Sequence, residues 1–245
     1  YYAVLNVANV KEFAFSIHLN AKFAWYGEKK ELGEIIDEYC AFYGESFAKE
    51  LKEAIGMYYS AMGDVGEERY HAFCDKYDFN YHHYENLPFT VCSINDGMVC
   101  FAGHSVSFED KCKMYTQEFA NTVKNGVTVM QTAYEKFTNL QKKLPNGYAL
   151  AMQKQWRWQA YYWCNLFAFA QESCEASEEF KVGKTDKLAS HYEKAAIFVK
   201  NILDTRAEWY QGEWENWFAD ERKLNLKALY NFCLHEKERF EKLYR

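Results

Sequence analysis

The chain has 245 residues and a formal charge of −6, with 49% hydrophobic, 26% charged and 19% aromatic residues. Acidic and basic residues are interspersed, which excludes the clustered Lys and Arg surface that a phosphate backbone requires. No apolar run reaches bilayer length, and the longest candidate, around Trp163 to Ala170, is short and holds Asn165, so no membrane span is expected.

The first element, Tyr1 to Val7, is an apolar, aromatic and β-branched run without helical periodicity, and it reads as a buried strand. A lone strand leaves its backbone donors and acceptors unpaired, so its partners are expected upstream of residue 1. Asn6 and Asn9 flank the end of that strand, Lys11 and Glu12 follow, and Phe13, Phe15, Ile17 and Leu19 alternate with smaller or polar residues before Ala24-Trp25.

The string Asn6-Val7-Ala8-Asn9-Val10-Lys11, followed at fixed spacing by Ala24-Trp25, resembles the motif Asn-Val-Gly-Asp-Leu-Lys-Pro-Leu-Glu-Phe…Ala-Trp of family 115 glycoside hydrolases, the xylan α-glucuronidases. Ala8, Asn9, Glu12 and Ala14 depart from that pattern. The resemblance implies that residues 1–28 are the end of a (β/α)8 catalytic barrel, a late strand and its loop, and that 29–245 are the helical bundle behind it. It also implies that Asn6 and Asn9 face a sugar site, with Lys11 beside them, because barrel enzymes bind substrate at the carboxyl ends of their strands. The competing reading is that the two asparagines satisfy backbone groups at a strand end.

After Gly27 the pattern turns helical. Leu32, Ile35, Ile36, Tyr39 and Phe42 or Tyr43 recur at three- and four-residue steps, and Gly44 is placed to stop that helix. Ser46 is a candidate N-cap for a second helix carrying Phe47, Leu51, Ile55, Tyr58 and Met62, and Glu67 to Tyr77 reads as a shorter third. Phe89 to Ile94 and Met98 to Phe101 then flank Asn95-Asp96-Gly97, which predicts a β-hairpin insertion at about 79–104. Cys92 would face Cys100 across it, as a disulfide in an oxidising compartment or as two thiols elsewhere.

From Ser107 to Leu144 an apolar stripe including Val123, Val127, Met130, Tyr134, Phe137 and Leu140 predicts a long helix, closed by Pro145-Asn146-Gly147. The next helix, Tyr148 to Phe180, carries Met152, Trp156, Ala160, Trp163, Phe167, Ala170 and Cys174 and is widened by Tyr161, Tyr162, Leu166 and Phe169, so it should be the most buried. Thr185 is a candidate cap for a helix to Tyr210, and the last helix is expected from Leu224 to Tyr244. Short connections between long helices imply antiparallel neighbours. The expected fold is therefore mainly α: an antiparallel helical bundle preceded by a terminal barrel strand and carrying a small hairpin.

Glycoside hydrolysis needs two carboxylates flanking the scissile bond. No pair in this sequence is placed for that role; Glu12 is the nearest candidate, and the hydrolytic acids are expected in the upstream barrel. A second sugar-binding candidate is the loop from Gly212 to Arg222, where Trp214 and Trp217 could stack on pyranose faces among Glu213, Glu215 and Asp220. The plainer alternative is that both tryptophans plug the ends of two helices. Eight cysteines form no C-x-x-C pair, and His71, His82, His83 and Glu85 match no standard ligand spacing, so neither metal nor cofactor is expected. The partners expected are an oligosaccharide or polysaccharide and the upstream barrel domain, with no nucleic acid. Sequence does not reveal the compartment; a leader upstream of Tyr1 would mark the protein for export. The rival reading is a non-catalytic α-helical protein-interaction module whose aromatic surplus packs against a partner.

Overall fold

A computed structural model describes residues 14–62, 117–209 and 226–243, and these are almost entirely helical. The expected barrel strand at Tyr1–Val7, the third helix at 67–77, the hairpin at 79–104 with Cys92 and Cys100, and the loop 212–222 lie outside the described residues. The helices are α1 Ala14–Tyr26, α2 Leu32–Phe42, α3 Glu45–Met62, α4 Gln117–Lys143, α5 Asn146–Met152, α6 Trp158–Lys181, α7 Leu188–Trp209 and α8 Leu226–Leu243. They divide between two compact units.

The first unit holds the described residues 14–59 and 131–161. Its α1 corrects the sequence reading, because the stretch expected to alternate after Phe13 coils into a helix from Ala14. No Gly or Pro interrupts residues 14–26, and helical spacing brings Phe15 and His18 onto one face, where both rings meet Tyr39 edge-on. A capping box opens α2, with Glu34 Oε2 accepting the Glu31 backbone N–H at 3.0 Å. Gly44, at φ 118°, ends it where expected. Ile35, Tyr39 and Cys40 are buried, and of the two candidates for the last position of the stripe Tyr43 is buried and Phe42 69% exposed, while Leu32, also expected on it, is 47% exposed.

Helix α3 starts one residue before Ser46, with Phe47 N donating to Gly44 O, and buries Leu51, Ala54, Ile55, Tyr58 and Ala61. It runs antiparallel to α4, since Glu50 pairs with Lys143 and Glu53 with Lys136. The long helix expected from Tyr148 is not uniform. A five-residue π turn, Gln153–Arg157, joins α5 to α6. It keeps Met152 and Trp156 both buried while turning Gln155 toward Tyr39 and Tyr43. Trp156 is the hub of this core: Phe137 stacks on it at 5.5 Å, and Phe15 and Tyr58 meet it edge-on at 5.1 and 5.7 Å.

The second unit holds the described residues 60–62, 117–130, 162–209 and 226–243. Here α6 is as deeply buried as its composition predicts. Residues 165–170 are all buried, so neighbours cover every side of the helix there. Trp163, expected on the buried stripe, is only half-buried. Within this belt the amide of Asn165 is matched by Asn201 of α7, whose Nδ2 donates to its Oδ1 at 3.1 Å. A Schellman motif closes α6: Gly183 takes φ 74°, Lys184 N donates to Glu179 O and Gly183 N to Phe180 O. Thr185 does not cap α7; it opens a 3-10 turn, Thr185–Lys187, that runs into α7 without a side-chain cap. Helices α7 and α8 pack through Tyr192, which stacks on Phe240 at 6.0 Å and meets Phe232 edge-on. No helix among the described residues is long and apolar enough to cross a membrane.

Candidate functional site

The residues proposed from sequence to touch sugar, Asn6, Asn9, Lys11, Trp214 and Trp217, lie outside the described residues. Two polar constellations inside the helices were not anticipated, one in each unit.

The first is the network around the π turn. Gln155 Oε1 accepts hydrogen bonds from Tyr39 at 3.0 Å and Tyr43 at 2.9 Å, and Trp156 Nε1 donates to Tyr39 Oη at 3.0 Å. Tyr58 Oη donates to Gln159 Oε1, whose amide returns to the Gln155 carbonyl. Burial raises the pKa of both Tyr39 and Tyr43 above that of an ordinary phenol, so each remains a protonated donor. Fully paired, apolar-walled and without a titrating member near neutrality, this network fixes the core and has no group suited to proton transfer.

The second lies between α6 and α7 and is chemically richer. His191, only 8% exposed, projects from α7 among three glutamates of α6. Its Nδ1 is 2.7 Å from Glu172 Oε2 and 3.8 Å from Glu175 Oε2, and its Nε2 is 3.3 Å from Glu179 Oε2. Residues 172, 175 and 179 are three and four positions apart, so an α-helix places them in one column. Lys194, one turn beyond His191, reaches the same Glu172 oxygen at 3.6 Å. The hydrogen bond that the imidazole N–H donates to Glu172 raises the His191 pKa against the opposing effect of burial, with Glu172, Glu179 and Glu175 adding favourable charge.

Glu175, Glu179 and His191 line a cavity of about 320 Å³ whose wall also includes Lys124, Gln171 and Cys174. The Cys174 thiol is pushed well above its ordinary pKa by burial, so it is no nucleophile at neutral pH. One ligand atom each from Glu172, Glu175 and His191 falls within 4.8 Å of the others. The arrangement can hold a proton on the imidazole or, with the ring neutral, offer Nδ1 and two carboxylates to a cation.

Sequence reasoning missed this site because it weighed histidines adjacent in sequence, His82 and His83. The available signal was Glu172-x-x-Glu175-x-x-x-Glu179 on one helical face, followed by a lone histidine one helix later. Comparison with family models, curated proteins and solved structures finds no match to this chain.

Proposed function

We propose that this chain is the helical portion of a carbohydrate-active glycoside hydrolase, buttressing a catalytic barrel and lending Asn6 and Asn9 to a sugar subsite. The observation that carries this reading is Trp25, which closes the motif begun at Asn6 and stands 84% exposed at the end of α1. A tryptophan at the surface of the first unit is available to a neighbouring domain or to a pyranose face. Phe23 and Leu32, also exposed, add apolar surface to the same stretch of chain.

On this reading the hydrolytic carboxylates belong to the barrel, and the helices supply rigidity and part of the substrate wall. The test uses the polypeptide as its source makes it, assayed for uronic acid or neutral sugar released from xylan-type oligosaccharides. Release that falls about tenfold or more in Asn6→Ala and Asn9→Ala is expected, the magnitude of lost positioning hydrogen bonds. A native mass near the 29.0 kDa of this chain, with no sugar released, overturns it and leaves the non-catalytic interaction module, whose partner would cover Trp25.

A further inference from the structure

We propose that Glu172, Glu175 and His191 form a binding site for one divalent transition-metal ion, with Glu179 as the outer-shell partner of the histidine. The inference stands apart from the glycosidase reading and uses only the second unit. A zinc-sized ion holds its ligands at about 2.0–2.2 Å, which places neighbouring donor atoms roughly 2.9–3.5 Å apart. The separations here, 2.7 Å from His191 Nδ1 to Glu172 and 3.8 Å to Glu175, bracket that range. One ligand atom from each of the three residues lies within 4.8 Å of the others, so rotamer changes in the two glutamates would draw the set together.

A second observation points the same way. Glu179 Oε2 is buried and has no hydrogen-bond donor in place, although His191 Nε2 is 3.3 Å away. An imidazole that ligates through Nδ1 must carry its proton on Nε2, and that N–H is the donor Glu179 lacks. Carboxylate, histidine and metal then stand in the order that recurs wherever imidazole binds such ions. An imidazole nitrogen with two carboxylates favours zinc, cobalt or nickel over magnesium or calcium, which prefer oxygen alone. Lys194, now on Glu172, would turn to the outer oxygen of that carboxylate. Glu175 and His191 line the cavity beside Gln171, from which water could complete the coordination.

The experiment is titration of the reduced chain with Co²⁺ and with Zn²⁺ at pH 7.5, read by calorimetry and by the visible absorption of cobalt. One ion per chain is expected, with cobalt d–d bands and no thiolate charge-transfer band. Glu175→Gln should weaken binding more than tenfold, and Glu179→Gln by about tenfold, the usual effect of losing an outer-shell partner. The Glu175 side chain is 46% exposed, so its variant folds even if His191→Gln does not. Absence of binding at tenfold metal excess overturns the proposal. So does binding that Glu175→Gln leaves unchanged, or a thiolate band that assigns the ion to cysteines.

Discussion

At the scale of single residues, the most informative side chains are those whose polar atoms join two helices. Tyr39→Phe removes the acceptor of the buried Trp156 N–H and one of two donors to Gln155. The expected loss is about 1–3 kcal/mol of unfolding free energy in urea, the cost of an orphaned buried donor. His191 gives a pH dependence of defined sign. Its folded pKa is raised above the ordinary 6.5, so its contribution is fully present below pH 6.5 and is lost as the pH climbs through the folded value. Glu172, Glu175 and Glu179 from α6 and Lys194 from its own helix are the charged groups that face it. In chelator, the denaturation midpoint should fall as the pH rises above 6.5, and His191→Gln should flatten that slope. A midpoint that rises over the same interval would contradict the assignment.

At the scale of elements, the π turn makes the sharpest demand. Lys154 is exposed within it, so Lys154→Ala should be nearly neutral. Inserting an alanine after Lys154 instead rotates everything before it by about 100° relative to everything after, since the π turn already accommodates its one extra residue and a helix advances one residue per 1/3.6 turn. Met152 or Trp156 must then leave the core, and about 2–5 kcal/mol of stability should go with it, measurable by thermal melting. Gly183→Ala tests the end of α6. Nothing lies within 4 Å of an added Cβ, yet the backbone holds φ 74°, so the expected cost is about 1–2 kcal/mol of left-handed strain and should shrink in Gly183→Asn.

The same elements explain what could be read in advance. Gly44, Pro145 and Gly183 mark helix ends in sequence because backbone geometry there is local, although Asn146 and Gly147, expected in a turn, are the first residues of α5. The stripes of α3, α4 and α6 were legible for the same reason, as period 3.6 is local too. The π turn was not, because an extra residue in a helix leaves no compositional mark and is maintained by Tyr39 and Tyr43 more than 100 positions away. Nor was α1, whose aromatic residues satisfy either periodicity. The Glu172–His191 site escaped because its members are neighbours only after α6 and α7 fold back on one another.

For the whole molecule, thiols provide a readout unit by unit. Cys40 is buried in the first unit, its pKa pushed up to about 11 chiefly by burial, while Cys174 and Cys233 are buried in the second. At pH 8 these three should resist a disulfide reagent until their own unit opens, and half-buried Cys164 should react before them. Cysteine-by-cysteine labelling against urea then shows whether the two units open at one denaturant concentration or at two.

The paired amides of Asn165 and Asn201 have a consequence of a different kind. Sliding α7 one turn along α6, by about 5.4 Å, would keep most apolar faces covered and would be nearly degenerate in energy. It would also pull the buried Asn165 amide away from Asn201. The pair therefore works as a vernier, admitting one alignment and penalising its neighbours. Replacing both asparagines by leucine would make the helices stickier and less particular, a chain that holds together in more than one way.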